Sequence, residues 1–113
     1  MSRICIIGAG SWAMALSLTL NDNKNDVTIW SAIKEELDIL ENTRKNEKYL
    51  KGIELSNNIK IEKDLEKALK GKDIIVFAVA SPYVRSTAKM VREHISLRPI
   101  IVNVAKGIEE ETL

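Results

Sequence analysis

The stretch "DIIVFAV", residues 73–79, has no polar side chain after Asp73, and this narrows most sharply what the chain can fold into. A strand with one wet face alternates apolar and polar residues, whereas a strand covered on both faces reads as a continuous apolar run. "RICII" (3–7) has the pattern of a short buried strand, "PIIVNVA" (99–105) reads as a fifth strand, "VTIW" (27–30) is β-branched and aromatic, and "NIKI" (58–61) is a weaker strand pattern. Helical spacing fills the intervals. Trp12, Ala15, Leu16 and Leu20 fall on one face, then Ile33, Leu37 and Leu40, in a stretch ending near Asn42. Asp64 caps a short helix with Leu65, Ala68 and Leu69 inward, stopped by Gly71. Ser81-Pro82 opens a last helix carrying Val84, Ala88, Val91 and Ile95, with serine at the cap and proline first in the helix. The polar segment 43–58 reads as a loop with a short helical turn at most, and "NDNKND" (21–26) as a turn.

The order is therefore β-α-β-α-β-α-β-α-β with short connections, which predicts an α/β fold: a doubly wound parallel sheet of five strands with helices on both faces. The 113 residues suffice for one domain with its own core. A complete sheet of this type has six strands, and "KGIEEETL" looks like a turn leading into the acidic start of another helix. The chain thus reads as the N-terminal part of a longer protein.

Composition removes several classes of function. A formal charge of +1 supplies no field for nucleic acid or an anionic membrane. The longest apolar run, Ile74–Ala80, is too short to span a bilayer, and the N-terminus lacks a signal-peptide pattern, so a cytoplasmic location is expected. The single cysteine, Cys5, excludes an internal disulfide and reads as a small buried hydrophobe. No metal-ligand spacing occurs, and His94, late in its helix, reads as a surface residue.

The candidate chemistry lies in "IIGAGSWAMAL", which follows the first strand directly. Gly8 permits a sharp turn, Gly10 lets a pyrophosphate approach the backbone, and Ala13 is a tolerated small residue where the helix meets the strand. The N–H groups and positive dipole of the helix that starts there would meet the phosphates. A lone G-x-G-x-x-A is weak, but between a first strand and an amphipathic helix it predicts a Rossmann-type dinucleotide site. The acid that usually meets the ribose 2′-hydroxyl is missing, because "IWSAIKEE" has no carboxylate between Asp26 and Glu35. Ser31 and Lys34 could instead receive a 2′-phosphate, which tilts the expectation mildly from NAD toward NADP. Lys34 and Glu35 could equally be solvated residues of a helix start, the reading preferred for Glu35.

Several stretches resemble the NAD(P)-dependent sn-glycerol-3-phosphate dehydrogenases. The glycine turn is similar to that family's G-x-G-x-W-G, which is followed by a small residue and Ala. "NEKYLKGIEL" (46–55) resembles its N-x-K-Y-L-x-G segment, "DLEKALKGKDIIVFAVAS" (64–81) its acidic helix and fourth strand, and "VAKGIE" (104–109) its T-K-G-I-E turn. The resemblance implies that Gly8, Ala9, Gly10, Ser11, Trp12 and Ala13 cradle the cofactor pyrophosphate, and it places position 32 against the adenosine. Members often carry Arg, His or Phe there, and this chain has Ala32. It places Ser81 and Tyr83 near the cofactor, with Tyr49 on the same side, although both tyrosines could be packing residues. The family's V-P-S is here Val79-Ala80-Ser81, with the proline moved to Pro82. Lys106, just past the fifth strand, is implied to contact cofactor and substrate and to polarise the carbonyl that receives hydride.

The resemblance further implies an enzyme that exchanges hydride between NAD(P) and glycerol 3-phosphate or dihydroxyacetone phosphate in glycerophospholipid synthesis, with a separate helical domain completing the substrate site. The fragment alone is then expected to be inactive. Partners are a phosphorylated triose, with a homodimer left open as an assembly. Two other readings stand beside it: a related dehydrogenase of 2-hydroxy or 2-keto acids, and a non-catalytic nucleotide-sensing module.

Overall fold

The computed structural model describes residues 2–45, 54–79, 81–94 and 99–103; for Ser11, Trp12, residues 81–84 and Asn103 it describes the backbone alone. Nine elements follow in the expected order: β1 (Arg3–Ile7), α1 (Ser11–Asp22), β2 (Asp26–Trp30), α2 (Lys34–Thr43), β3 (Lys60–Ile61), α3 (Leu65–Leu69), β4 (Ile74–Phe77), α4 (Ser81–Arg92) and β5 (Ile100–Asn103). The strands form one sheet in the order β3-β2-β1-β4-β5, with every pairing parallel. This is the Rossmann-type doubly wound topology, and its direction of winding reverses between β1 and β4. Ligands in such sheets sit outside the carboxyl ends of the strands at that reversal.

The apolar runs explain the centre of the sheet. β1 lies between β2 and β4, with Ile6 opposite Ile29 and Val76, and Ile7 opposite Trp30 and Phe77. Cys5, Ile6, Ile7, Val27, Ile29 and Ile75 have no solvent exposure. Burial of one such aliphatic side chain stabilises by about 1.5–3 kcal/mol, so these residues fix the register of three strands. Asp73 closes the other end of the sheet: its carboxylate accepts from the Arg3 N–H at 2.8 Å and its carbonyl accepts from the Ile100 N–H at 3.0 Å. Asn25 ties the end of α1 to the chain start, donating to the Leu20 carbonyl and accepting from the Ser2 N–H.

Three details differ from the sequence expectation. The buried face of α1 comprises Ala13, Met14 and Ser17, while Ala15, Leu16 and Leu20 are half-buried. This helix is apolar nearly all round, so spacing alone does not choose its inner face; the buried Ser17 hydroxyl is accommodated by donating to the Ala13 carbonyl at 2.7 Å. Ile33 lies outside the core at 55% exposure because α2 begins after it; Leu37 and Leu40 carry the packing. α4 begins one residue earlier than expected, at Ser81. In that helix Val91 and Thr87 are buried and Ala88 half-buried, while His94, just beyond it, is exposed as expected. Asp64 caps α3 as expected, its carboxylate accepting from the Lys67 N–H, and Gly71 follows with φ of 71°. β5 is a strand as expected, yet Ile100, Ile101 and Val102 are 62%, 46% and 39% exposed, since it pairs with β4 alone among the described residues.

Candidate functional site

Three strand-to-helix crossings meet at the carboxyl edge of the sheet. The first is the glycine turn between β1 and α1. Gly8 donates its N–H to the Trp30 carbonyl at 2.7 Å, which ties the turn to the end of β2. Ala78, just past β4, donates to the Ile7 carbonyl at 2.9 Å, which ties the turn to the second crossing, where α4 begins. The third crossing is residues 31–33, between β2 and α2. The turn therefore lies at the reversal point of the sheet, between its two neighbours.

The two glycines have different reasons to be glycine. Gly8 has φ of +133°, and a Cβ there would lie 2.4 Å from the Ala78 carbonyl oxygen. Only glycine fits, because β4 passes against the turn. Gly10 has φ of −81° and ψ of −169°, open to any L residue, and among the described residues a Cβ there would meet nothing within 4 Å beyond its own chain neighbours. The fold itself does not require a glycine at position 10. What an alanine methyl would occupy is open space above the start of α1.

That start is prepared for an anion. Gly10 is the N-cap and supplies no side-chain hydrogen bond, and the first turn of α1 holds no acid. The Met14 N–H makes the first helical bond, to the Gly10 carbonyl at 3.0 Å, so the N–H groups preceding it have no helical partner. α2 and α3, by contrast, carry acids in their first turns, Glu35 and Glu36 in one and Glu66 in the other. An uncapped, acid-free helix start beside open space is chemistry suited to a pyrophosphate. Gly8, Ala9, Gly10 and the backbone of Ser11, Trp12 and Ala13 could hold such a group. Ala9 and Ala13 are both buried, as close packing of helix on strand demands.

At the second crossing, the backbone of Ser81 and Tyr83 forms the first turn of α4, beside the glycine turn. At the third, Ala32 and Lys34 are exposed just past β2. Ser31 departs from its expected use. It is 5% exposed, and its hydroxyl accepts from the Ile33 N–H at 3.1 Å and donates to Glu36 Oε1 at 3.3 Å. Its bonding capacity is thus largely taken up within the chain, and Lys34 is left as the group suited to a 2′-phosphate. No motif spacing marks Glu36, which lies six residues beyond β2; only the fold-back onto Ser31 brings its carboxylate to the strand end. Tyr49 and Lys106 lie outside the described residues.

Comparison with known proteins agrees with this geometry. Residues 3–113 match the family described as NAD-dependent glycerol-3-phosphate dehydrogenase N-terminus.

The chain belongs to that family.

Over all 113 residues it is 46% identical to glycerol-3-phosphate dehydrogenase [NAD(P)+] 2 of Lactobacillus delbrueckii subsp. bulgaricus and 45% identical to the glycerol-3-phosphate dehydrogenase [NAD(P)+] of Agathobacter rectalis. It covers 33% and 34% of those proteins, so it spans about a third of the relatives' length. Among solved structures, the glycerol-3-phosphate dehydrogenase of Coxiella burnetii superposes with a TM-score of 0.85 at 27% identity, over 90% of this chain and 31% of that one. Membership of an NAD(P)-dependent dehydrogenase family supports use of NAD or NADP and sets aside the two other readings, the 2-hydroxy or 2-keto acid dehydrogenase and the sensing module. Among the described residues, no helix is long and apolar enough to cross a membrane.

Proposed function

We propose that this chain is the cofactor-binding domain of a longer, cytoplasmic enzyme that interconverts glycerol 3-phosphate and dihydroxyacetone phosphate. Its product would supply glycerophospholipid synthesis, and its partner is the phosphorylated triose, with neither nucleic acid nor membrane involved and a homodimer left open. The observation that carries the cofactor role is the open space at Gly10, at the uncapped start of α1.

The nicotinamide cofactor, when bound, supplies or accepts the hydride. The residues of this chain bind and orient. The backbone of Gly8 to Ala13 takes the pyrophosphate, with Trp12 flanking it. Ala32 faces the adenosine, and Lys34 tilts the preference mildly toward NADP. Ser81, Tyr83 and Tyr49 line the cofactor. Lys106 holds the triose and polarises the carbonyl at C2, where an ammonium lowers the cost of the negative charge that develops on oxygen. It is the catalytic residue of the proposal.

The test is Lys106→Ala in the full-length protein. Turnover of dihydroxyacetone phosphate should collapse while NADH binding is mostly kept; unchanged turnover would remove Lys106 from the mechanism.

A further inference from the structure

The sequence has no carboxylate in the eight residues after Asp26, yet the fold puts one at the end of β2. Glu36 stands in the first turn of α2 and is half-buried, with its Oε1 held at 3.3 Å by the Ser31 hydroxyl. Ser31 is the residue directly after β2, and the preceding carbonyl, that of Trp30, is bonded to Gly8 of the glycine turn. A carboxylate is thereby tethered two bonded steps from the phosphate cradle, on the side where an adenosine ribose would lie. Two features orient this long contact. Ser31 is 5% exposed, and its oxygen is aimed by the Ile33 N–H that it accepts at 3.1 Å. Glu35, one residue earlier, is exposed and has no such tether among the described bonds.

We propose that Glu36, positioned by Ser31, is a specificity-determining residue that opposes a 2′-phosphate on the cofactor and so limits the preference for NADP to a mild one. The proposal rests on the cofactor role argued above. A 2′-phosphate adds close to two negative charges, which the tethered carboxylate repels and Lys34 attracts; NAD carries a hydroxyl there and feels neither strongly. The balance between these two side chains, rather than either alone, lets one site accept both dinucleotides. Ser31 acts through Glu36 and is a positioning residue.

The experiment titrates NADH and NADPH, by quenching of protein fluorescence, against the full-length protein and three variants. Glu36→Gln keeps the size and the acceptor oxygen for Ser31 but removes the charge. It should tighten NADPH relative to NADH by roughly three- to tenfold at low salt, a difference that shrinks as salt screens it. Ser31→Ala should move the ratio in the same direction by less, because the carboxylate is released rather than neutralised. Glu35→Gln should leave the ratio within about twofold, since its charge is exposed and screened. An unchanged ratio in Glu36→Gln overturns the proposal, as does an equal shift in Glu35→Gln, which would reduce the effect to bulk charge. If the wild-type protein binds neither dinucleotide, the cofactor role fails and the proposal falls with it. Binding of both with no shift in the ratio removes Glu36 alone.

Discussion

Replacing Gly10 and Gly8 separately by alanine should divide ligand binding from folding. At Gly10 the backbone is already in a region open to alanine, and among the described residues the new methyl group meets nothing within 4 Å beyond its chain neighbours. Alanine caps a helix less well than glycine, a cost of about 0.5–1 kcal/mol. It also reduces the freedom of the unfolded chain, a gain of about 0.4–1 kcal/mol. The two nearly cancel, so Gly10→Ala should unfold within about 0.5 kcal/mol of wild type. At Gly8 neither condition holds: φ is +133° and the methyl would lie 2.4 Å from the Ala78 carbonyl oxygen. A disfavoured backbone and a clash with main chain together should cost at least about 3 kcal/mol. Binding should sort the other way. The Gly10 methyl fills the space above the α1 start and displaces the pyrophosphate from N–H donors. Each charge-assisted bond lost is worth about 1.5–3 kcal/mol, so dinucleotide affinity should fall roughly tenfold to a hundredfold. Denaturant unfolding and fluorescence titration on the same preparations read both quantities. Wild-type affinity in Gly10→Ala would refute the reasoning, because the open space would then have no ligand to serve.

Other expectations concern the core. The Thr28 hydroxyl is buried with no partner among the described atoms, so Thr28→Val should raise stability by about 1 kcal/mol, as read from the urea midpoint. Burial pushes the Cys5 thiol from 9.0 up to about 12, with Lys72 pulling slightly the other way. The folded state therefore holds this proton where the unfolded state has lost it. The stability this provides is full below pH 9 and declines by about 1.4 kcal/mol per pH unit between 9 and 12. Cys5→Ala should remove that part of the slope when wild type and variant are unfolded across this window, and parallel pH profiles would contradict it. Asp64→Ala removes the cap of α3 and should cost about 0.5–2 kcal/mol in the same urea assay.

How far the sequence discloses the molecule depends on which force sets each feature. The continuous apolar runs of β1 and β4 disclose the sheet because burial on both faces leaves no room for alternation. The glycines disclose the turn because strand, helix and glycine follow one another without a gap. The inner face of α1 is hidden, since a helix apolar on most sides can present Met14 as readily as Leu16. The tether from Ser31 to Glu36 is hidden for another reason. It is five residues long, matches no helical or capping interval, and exists because the 31–33 crossing folds the start of α2 back over the end of β2. The exposure of β5 follows from its place at the sheet edge, which no property of "PIIVNVA" reveals.

The central claim, that the glycine turn holds a nicotinamide dinucleotide for triose phosphate chemistry, is tested most directly by titrating NADH and NADPH against the full-length protein and then adding dihydroxyacetone phosphate. The account predicts saturable binding of both dinucleotides, with NADPH slightly tighter, and oxidation of the bound cofactor once the triose phosphate is present. Binding of neither dinucleotide would contradict it.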